Sequence, residues 1–274
     1  MEEPVTFPRM TLPGKLVGWF EVSGPVLLGY SGGVDSTVLA VVGTRVLGPD
    51  GLLAVIGRSA SYPAVQWRAA VAQAHDHGVS ILEIDTDELA DSSYRSNSPA
   101  RCYFCKRELW SKLARIAEER RFKTVIDGTH VGDLTEHRPG ARAGAERQVR
   151  SPLVELGWGK DQVRATARSL GLSGWNEPSS PCLSSRIRYG LEVTAERLSQ
   201  VERAEEYLRQ LGIVGDLRVR HHGDLARIEA NPAMGPVIDA SWSAIETKFR
   251  SLGFARTERD PLGYRRGSLL PTAS

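Results

Sequence analysis

The chain has 274 residues, 41% of them hydrophobic and 25% charged, which is enough for one large and one smaller core, and nothing in the composition marks the chain as disordered. Lysine and arginine total 35 against 33 acidic residues, and a net charge of +2 gives no bulk-charge argument for nucleic-acid or membrane-surface binding. No positively charged leader, no apolar run of membrane length and only three cysteines lead to the expectation of a cytoplasmic protein without membrane association or a disulfide framework.

The run Pro25 to Leu28 predicts a buried strand, and Val38, Leu39, Val42 and Val46 have the spacing of a following helix. Between them, "YSGGVDST" places two adjacent glycines and several hydroxyls on a strand-to-helix turn. Unpaired N–H groups and the helix dipole favour an anion there, and glycine lets it approach the backbone. Ser31, Gly32, Gly33, Asp35, Ser36 and Thr37 are therefore candidate phosphate-binding residues, against the alternative of an ordinary capped turn. The loop lacks both the Walker spacing with its lysine and the G-x-G-x-x-G of a dinucleotide fold.

Further along, strands are predicted at 52–57, 80–86 and 123–130, and helices at 64–78, 105–121 and 159–171, with Gly78 and Gly171 as stops. This alternation predicts an α/β fold with a doubly wound parallel sheet whose ligands bind at the carboxyl ends of the strands. From about Leu191 the order changes to a helix over 194–212, a strand pair within 217–230, a helix over 239–253 and a strand-like piece over 254–260. That order predicts a smaller C-terminal α+β domain, with the boundary at Tyr189–Gly190. Residues 269–274 read as a frayed tail.

Cys102 and Cys105 form a C-x-x-C pair just before a helix, and Cys182 stands on a later, proline-bracketed loop. A zinc site would lack its usual second pair, and His221 and His222 are candidates only in principle. Three thiolates suffice to hold three irons of a [4Fe–4S] cluster and leave the fourth open. A buried, packing Cys182 is the alternative. Arg101, Lys106 and Arg186 flank the cysteines, and Arg218 and Arg220 alternate so as to share one strand face.

Ser31 to Ser36 resembles the S-G-G-x-D-S pyrophosphate loop of PP-loop enzymes, which adenylylate a substrate and release pyrophosphate. Together with "RCYFCK", "DGTHVGDLTEHRPG", "PCLSSRIRYG", "RVRHHGDLARIE" and "DPLGYRRGS", it makes the chain similar over nearly its whole length to the LarE family. These are pyridinium-3,5-biscarboxylic acid mononucleotide sulfurtransferases, which serve the nickel-pincer cofactor of lactate racemase. The resemblance implies an adenine nucleotide alpha hydrolase-like PP-loop domain over 1–189 and a substrate-binding and oligomerisation domain over 190–274 of a homo-oligomer. It implies ATP with Mg²⁺ held by Asp35 and Asp133, and further nucleotide contacts from Ser59 and Arg138. Catalytic roles fall to Cys182, Asp35 and Ser36. The pyridinium mononucleotide would be bound by Arg186, Arg218 and Arg220, with Glu206 and Glu229 orienting the arginines. Members with a single cysteine, matching Cys182, give up its sulfur, whereas members with three resemble enzymes in which a cluster on Cys102, Cys105 and Cys182 carries a replaceable sulfide from a sulfide donor. After Gly128-Thr129 the family usually has Asn and paired aspartates, and this chain has His130 and Gly132-Asp133.

Two other readings share parts of this pattern. A PP-loop tRNA thiolase would need an RNA-binding surface, which the weak net charge and the lack of an aromatic–basic module disfavour. A non-catalytic nucleotide or Fe–S sensing module would keep both the loop and the cysteines.

Overall fold

The computed structural model describes residues 12–135, 139–176, 181–265 and 269; Arg138 and most of the tail at 269–274 lie outside them. The chain divides into two compact units, one of residues 1–58, 64–86 and 106–180, the other of 59–63, 87–105 and 181–274.

In the first unit, β1 (Val26–Gly29), β2 (Leu52–Arg58), β3 (Ile81–Asp85) and β4 (Thr124–Ile126) form one parallel sheet in the order β3-β2-β1-β4. The near-continuous apolar runs of β1 and β2 are what strands covered on both faces require, and Val26, Leu27, Leu28, Leu52 and Ala54 are fully buried. Each such Val or Leu contributes about 1.5–3 kcal/mol by leaving water. Helix Val34–Leu47 starts two residues ahead of Ser36 and buries Val38, Leu39 and Val42, as their spacing requires. An additional helix, Gly14–Ser23, buries Leu16, Trp19 and Phe20. Because β2 and β3 extend from one side of β1 and β4 pairs on the other, the strand order reverses between β1 and β4, the switch point where open α/β sheets bind ligands.

In the second unit, helix Ala195–Gln210 is capped by Thr194, whose hydroxyl accepts the Arg197 N–H at 3.2 Å. Then come β5 (Leu217–His221), β6 (Leu225–Ala230), helices Gly235–Ala240 and Trp242–Ser251, and β7 (Arg256–Arg259). The sheet order is β5-β6-β7, antiparallel between β5 and β6 and parallel between β6 and β7. Leu208, Leu217, Val219, Ile228, Ile245 and Phe249 form its core. A second cluster joins Tyr94 to Leu183, Ile187, Leu198 and Val201. Beside 181–274 this unit takes in 59–63 and 87–105, because Tyr94 and Ser61 pack with the cysteine loop.

Candidate functional site

The glycine turn lies where β1 ends. The Tyr30 N–H donates to the Val55 carbonyl at 2.8 Å, continuing the sheet for one residue, and Gly32 at φ 68° takes the left-handed conformation that turns the chain into the helix. The hydroxyls of Ser36 and Thr37 donate to the Gly33 carbonyl at 3.0 and 3.1 Å, and the Ser31 and Ser36 hydroxyls lie 3.2 Å apart. The first-turn amides of helix Val34–Leu47 have no carbonyl four residues earlier in the helix, so they are presented to an anion. The segment after β4 closes on this helix start: a Cβ on Gly128 would lie 3.0 Å from the Ser36 nitrogen, so only glycine fits without a shift.

Asp35, in the first turn, receives both its hydrogen bonds from Lys160 Nζ, at 2.9 and 2.8 Å. Asp133 is engaged by His130, whose N–H donates to it at 3.1 Å and whose Nε2 stands 3.4 Å away. Asp127, at the end of β4, accepts from the Thr129 N–H and hydroxyl at 3.0 and 2.7 Å and from the Ser151 hydroxyl at 2.7 Å. Lys160 and Asp127 were not among the expected site residues. Ser59 belongs to the second unit, where its hydroxyl meets that of Ser61 at 3.0 Å.

The three cysteines all fall in the second unit. Cys182 caps the short turn Leu183–Arg186, and its carbonyl accepts the Ser185 N–H at 3.0 Å, the Ser185 hydroxyl at 2.7 Å and Arg186 Nη1 at 3.1 Å. Buried Arg101 donates to the Ser184 carbonyl at 3.0 Å and to Asn97 Oδ1, and stacks on Tyr189. Burial acts to lower its pKa, but the charges of Cys182 and Cys102 prevail and raise it. Tyr94, bonded to Ser184 at 2.6 Å, has its pKa raised by burial first and by Cys182 second. Cys105 packs against the Tyr94 cluster, while Cys102 is exposed. Among the described residues no three His, Cys, Asp or Glu side chains gather as a metal-holding group, so the cysteines share a unit without forming an assembled ligand set.

Besides Arg101, the buried arginines of this unit among the described residues are Arg186, Arg218 and Arg220, and their partners distinguish them. Arg186 pairs with Glu205, Nε to Oε1 at 3.0 Å, and so braces the Cys182 loop against helix Ala195–Gln210. Arg220 pairs with Glu229 at 2.8 Å. Among the described residues Arg218 forms no ion pair: it donates to the Leu217 carbonyl at 2.7 Å and stacks on Tyr264. Burial, and then the charge of Arg186, hold its pKa below the usual arginine value. Expected to orient the arginines, Glu206 is instead exposed; Glu205, one residue earlier, meets Arg186 and also accepts the Val219 N–H at 3.0 Å. Glu229 does orient Arg220.

A phosphate-presenting turn at the switch point of a parallel sheet, without a Walker lysine, is the arrangement of PP-loop enzymes, which use ATP. Residues 20–126 match the NAD synthase family. An uncharacterized protein of Synechocystis is 42% identical, over 89% of this chain and 91% of its own length. The pyridinium-3,5-bisthiocarboxylic acid mononucleotide synthase of Lactiplantibacillus plantarum is 35% identical over 90% of this chain and 89% of its own. An uncharacterized protein of Methanocaldococcus jannaschii is 29% identical over 84% and 87%. The chain belongs to the PP-loop family and, within it, to the LarE-type family of that mononucleotide synthase.

Proposed function

We propose that the chain is an ATP-dependent sulfurtransferase that adenylylates the ring carboxylates of a pyridinium mononucleotide and converts them to thiocarboxylates. One observation carries this reading: the 35% identity, over 90% of the chain, to a protein named for a bisthiocarboxylic acid mononucleotide. A carboxylate does not exchange oxygen for sulfur directly, because hydroxide or oxide leaves poorly. Attack of a carboxylate oxygen on the α-phosphorus of ATP forms an acyl-adenylate and releases pyrophosphate. Sulfur then attacks the acyl carbon, and the C–O bond breaks to release AMP.

In this reading Ser31 to Thr37 and the helix start at Val34 hold the departing pyrophosphate, whose growing charge the amides and Lys160 offset. Asp35, backed by Asp133, would carry Mg²⁺, with Lys160 yielding a share of the Asp35 carboxylate. Arg218, a buried cation without a carboxylate partner among the described residues, receives the substrate phosphate. Cys182 supplies the point of sulfur delivery, held by Arg186 and Ser185 through its carbonyl. Cys102, Cys105 and Cys182 suit a [4Fe–4S] cluster in number and chemistry, though not in their present arrangement, and would have to close on a common centre to hold one. Such a cluster, when bound, would supply a replaceable nucleophilic sulfide at its open iron.

The test is pyrophosphate release on mixing the chain with ATP, Mg²⁺ and pyridinium-3,5-biscarboxylic acid mononucleotide. Release that needs the mononucleotide and is lost in Ser36→Ala supports the reading. Release that is indifferent to the mononucleotide, or undiminished in Ser36→Ala, overturns it.

A further inference from the structure

Among the described residues Arg218 spends its guanidinium on the Leu217 carbonyl alone, and an aromatic ring rather than a carboxylate holds it: the Tyr264 centroid lies 5.0 Å from its guanidinium carbon. That ring stands on a tightly determined turn after β7. The Asp260 N–H donates to the Ile228 carbonyl at 2.9 Å, and the Asp260 carboxylate accepts the Leu262 N–H at 2.8 Å and pairs with Arg265 at 3.0 Å. The Gly263 N–H donates to the Asp260 carbonyl at 3.1 Å, and that of Tyr264 to the Ala230 carbonyl at 3.2 Å. Gly263 has φ 67°, and a Cβ there would lie 2.6 Å from the Ala230 oxygen, so another residue would push the turn off the end of β6.

We propose that residues 260–265 act as a strap that lays Tyr264 over Arg218 and fixes the guanidinium plane for the phosphate monoester of the substrate mononucleotide. This rests on the reading of Arg218 as phosphate receptor and makes Tyr264 a positioning residue for substrate specificity. A guanidinium recognises phosphate through a planar fork of N–H donors, so its plane must be set before the ligand arrives. A carboxylate would set the plane but occupy the donors, as Glu229 does with Arg220. A ring face restrains the plane and leaves the edge donors open. The depressed pKa of Arg218 fits a buried cation that an arriving dianion would stabilise.

The test measures binding of nicotinate mononucleotide, and of the riboside lacking its phosphate, by calorimetry on the full chain, with the KM and kcat of the biscarboxylate mononucleotide beside them. Tyr264→Leu is expected to weaken mononucleotide binding and raise KM about tenfold, leaving riboside binding and kcat unchanged. Tyr264→Phe keeps the ring and should stay near the wild-type values, while Gly263→Ala should behave as Tyr264→Leu. If Arg218→Ala weakens mononucleotide binding and Tyr264→Leu does not, the strap is overturned and the phosphate reading stands. If Arg218→Ala binds the mononucleotide as the wild type does, both fall. Equal loss of riboside and mononucleotide in Tyr264→Leu would mean a general packing role and overturns the strap.

Discussion

Lys160 reaches back 125 residues to hold both carboxylate oxygens of Asp35, at 2.9 and 2.8 Å, in the first turn of the helix that follows the glycine loop. The pair ties helix Lys160–Ser169 to the phosphate turn and keeps a cation beside it. Replacing Lys160 by Met leaves Asp35 without its partner and the pyrophosphate without one positive charge. Initial rates of pyrophosphate release at saturating Mg²⁺ should fall about tenfold or more in Lys160→Met. An unchanged rate would remove Lys160 from the site.

Arg218 and Arg220 stand two apart on β5 and should respond oppositely to truncation. Arg220→Ala removes a buried ion-pair partner of the Glu229 carboxylate, and loss of one partner of a buried pair costs about 3–5 kcal/mol. Arg218→Ala removes a buried cation that has no carboxylate partner among the described residues, so stability should be kept while the KM for the mononucleotide rises. Urea unfolding of the two variants separates them; equal destabilisation would contradict the contrast.

His221 gives the second unit a pH dependence. Its Nδ1 accepts the Gly223 N–H at 3.2 Å and its Nε2 faces Gln200 at 2.8 Å, which selects the neutral ring. Burial first, then Arg197 and His222, push its pKa down to about 4. In the unfolded chain it titrates near its ordinary value of about 6.5, so between these limits the unfolded state binds the extra proton. The stabilisation is present above the unfolded value and is lost as pH falls towards the folded one, by roughly 2 kcal/mol between about pH 7 and pH 5. Urea midpoints should fall over that range in the wild type and flatten in His221→Gln, and parallel curves would contradict the assignment.

Cys182→Ser separates the two half-reactions. Adenylylation draws on Ser31 to Thr37 and Lys160, so pyrophosphate release should persist, whereas no thiocarboxylate should form. With Cys182 intact and sulfide supplied anaerobically, more than one sulfur should be transferred per chain. Loss of the Cys182 sulfur from the intact mass, with no iron requirement, would show the single-use chemistry instead.

The parallel sheet was legible because β1 and β2 are buried on both faces and therefore read as unbroken apolar runs bounded by turn residues. Helix Gly14–Ser23 escaped because the fourth residue of its buried stripe, after Leu16, Trp19 and Phe20, is Ser23. The phosphate turn was legible because its chemistry is contiguous in the chain. Lys160 was not, since a Gly-Lys at a helix start carries no local sign of an aspartate 125 residues away. Glu205 could have been preferred to Glu206: Leu198, Val201, Ala204 and Leu208 set the inward phase of that helix, and Glu205 shares it. Tyr264 gave no periodic signal, because a turn pinned by Asp260 and Gly263 places it.

The most direct test of ATP-driven sulfur transfer is the mass of the mononucleotide recovered after anaerobic incubation of the full chain with ATP, Mg²⁺ and sulfide, alongside the pyrophosphate released. The predicted product has sulfur in place of oxygen at its carboxylates, forms only when ATP is present and appears with one pyrophosphate for each exchange. A mononucleotide recovered with all its carboxylate oxygens while pyrophosphate is released, or a thiocarboxylate formed without ATP, would contradict the account.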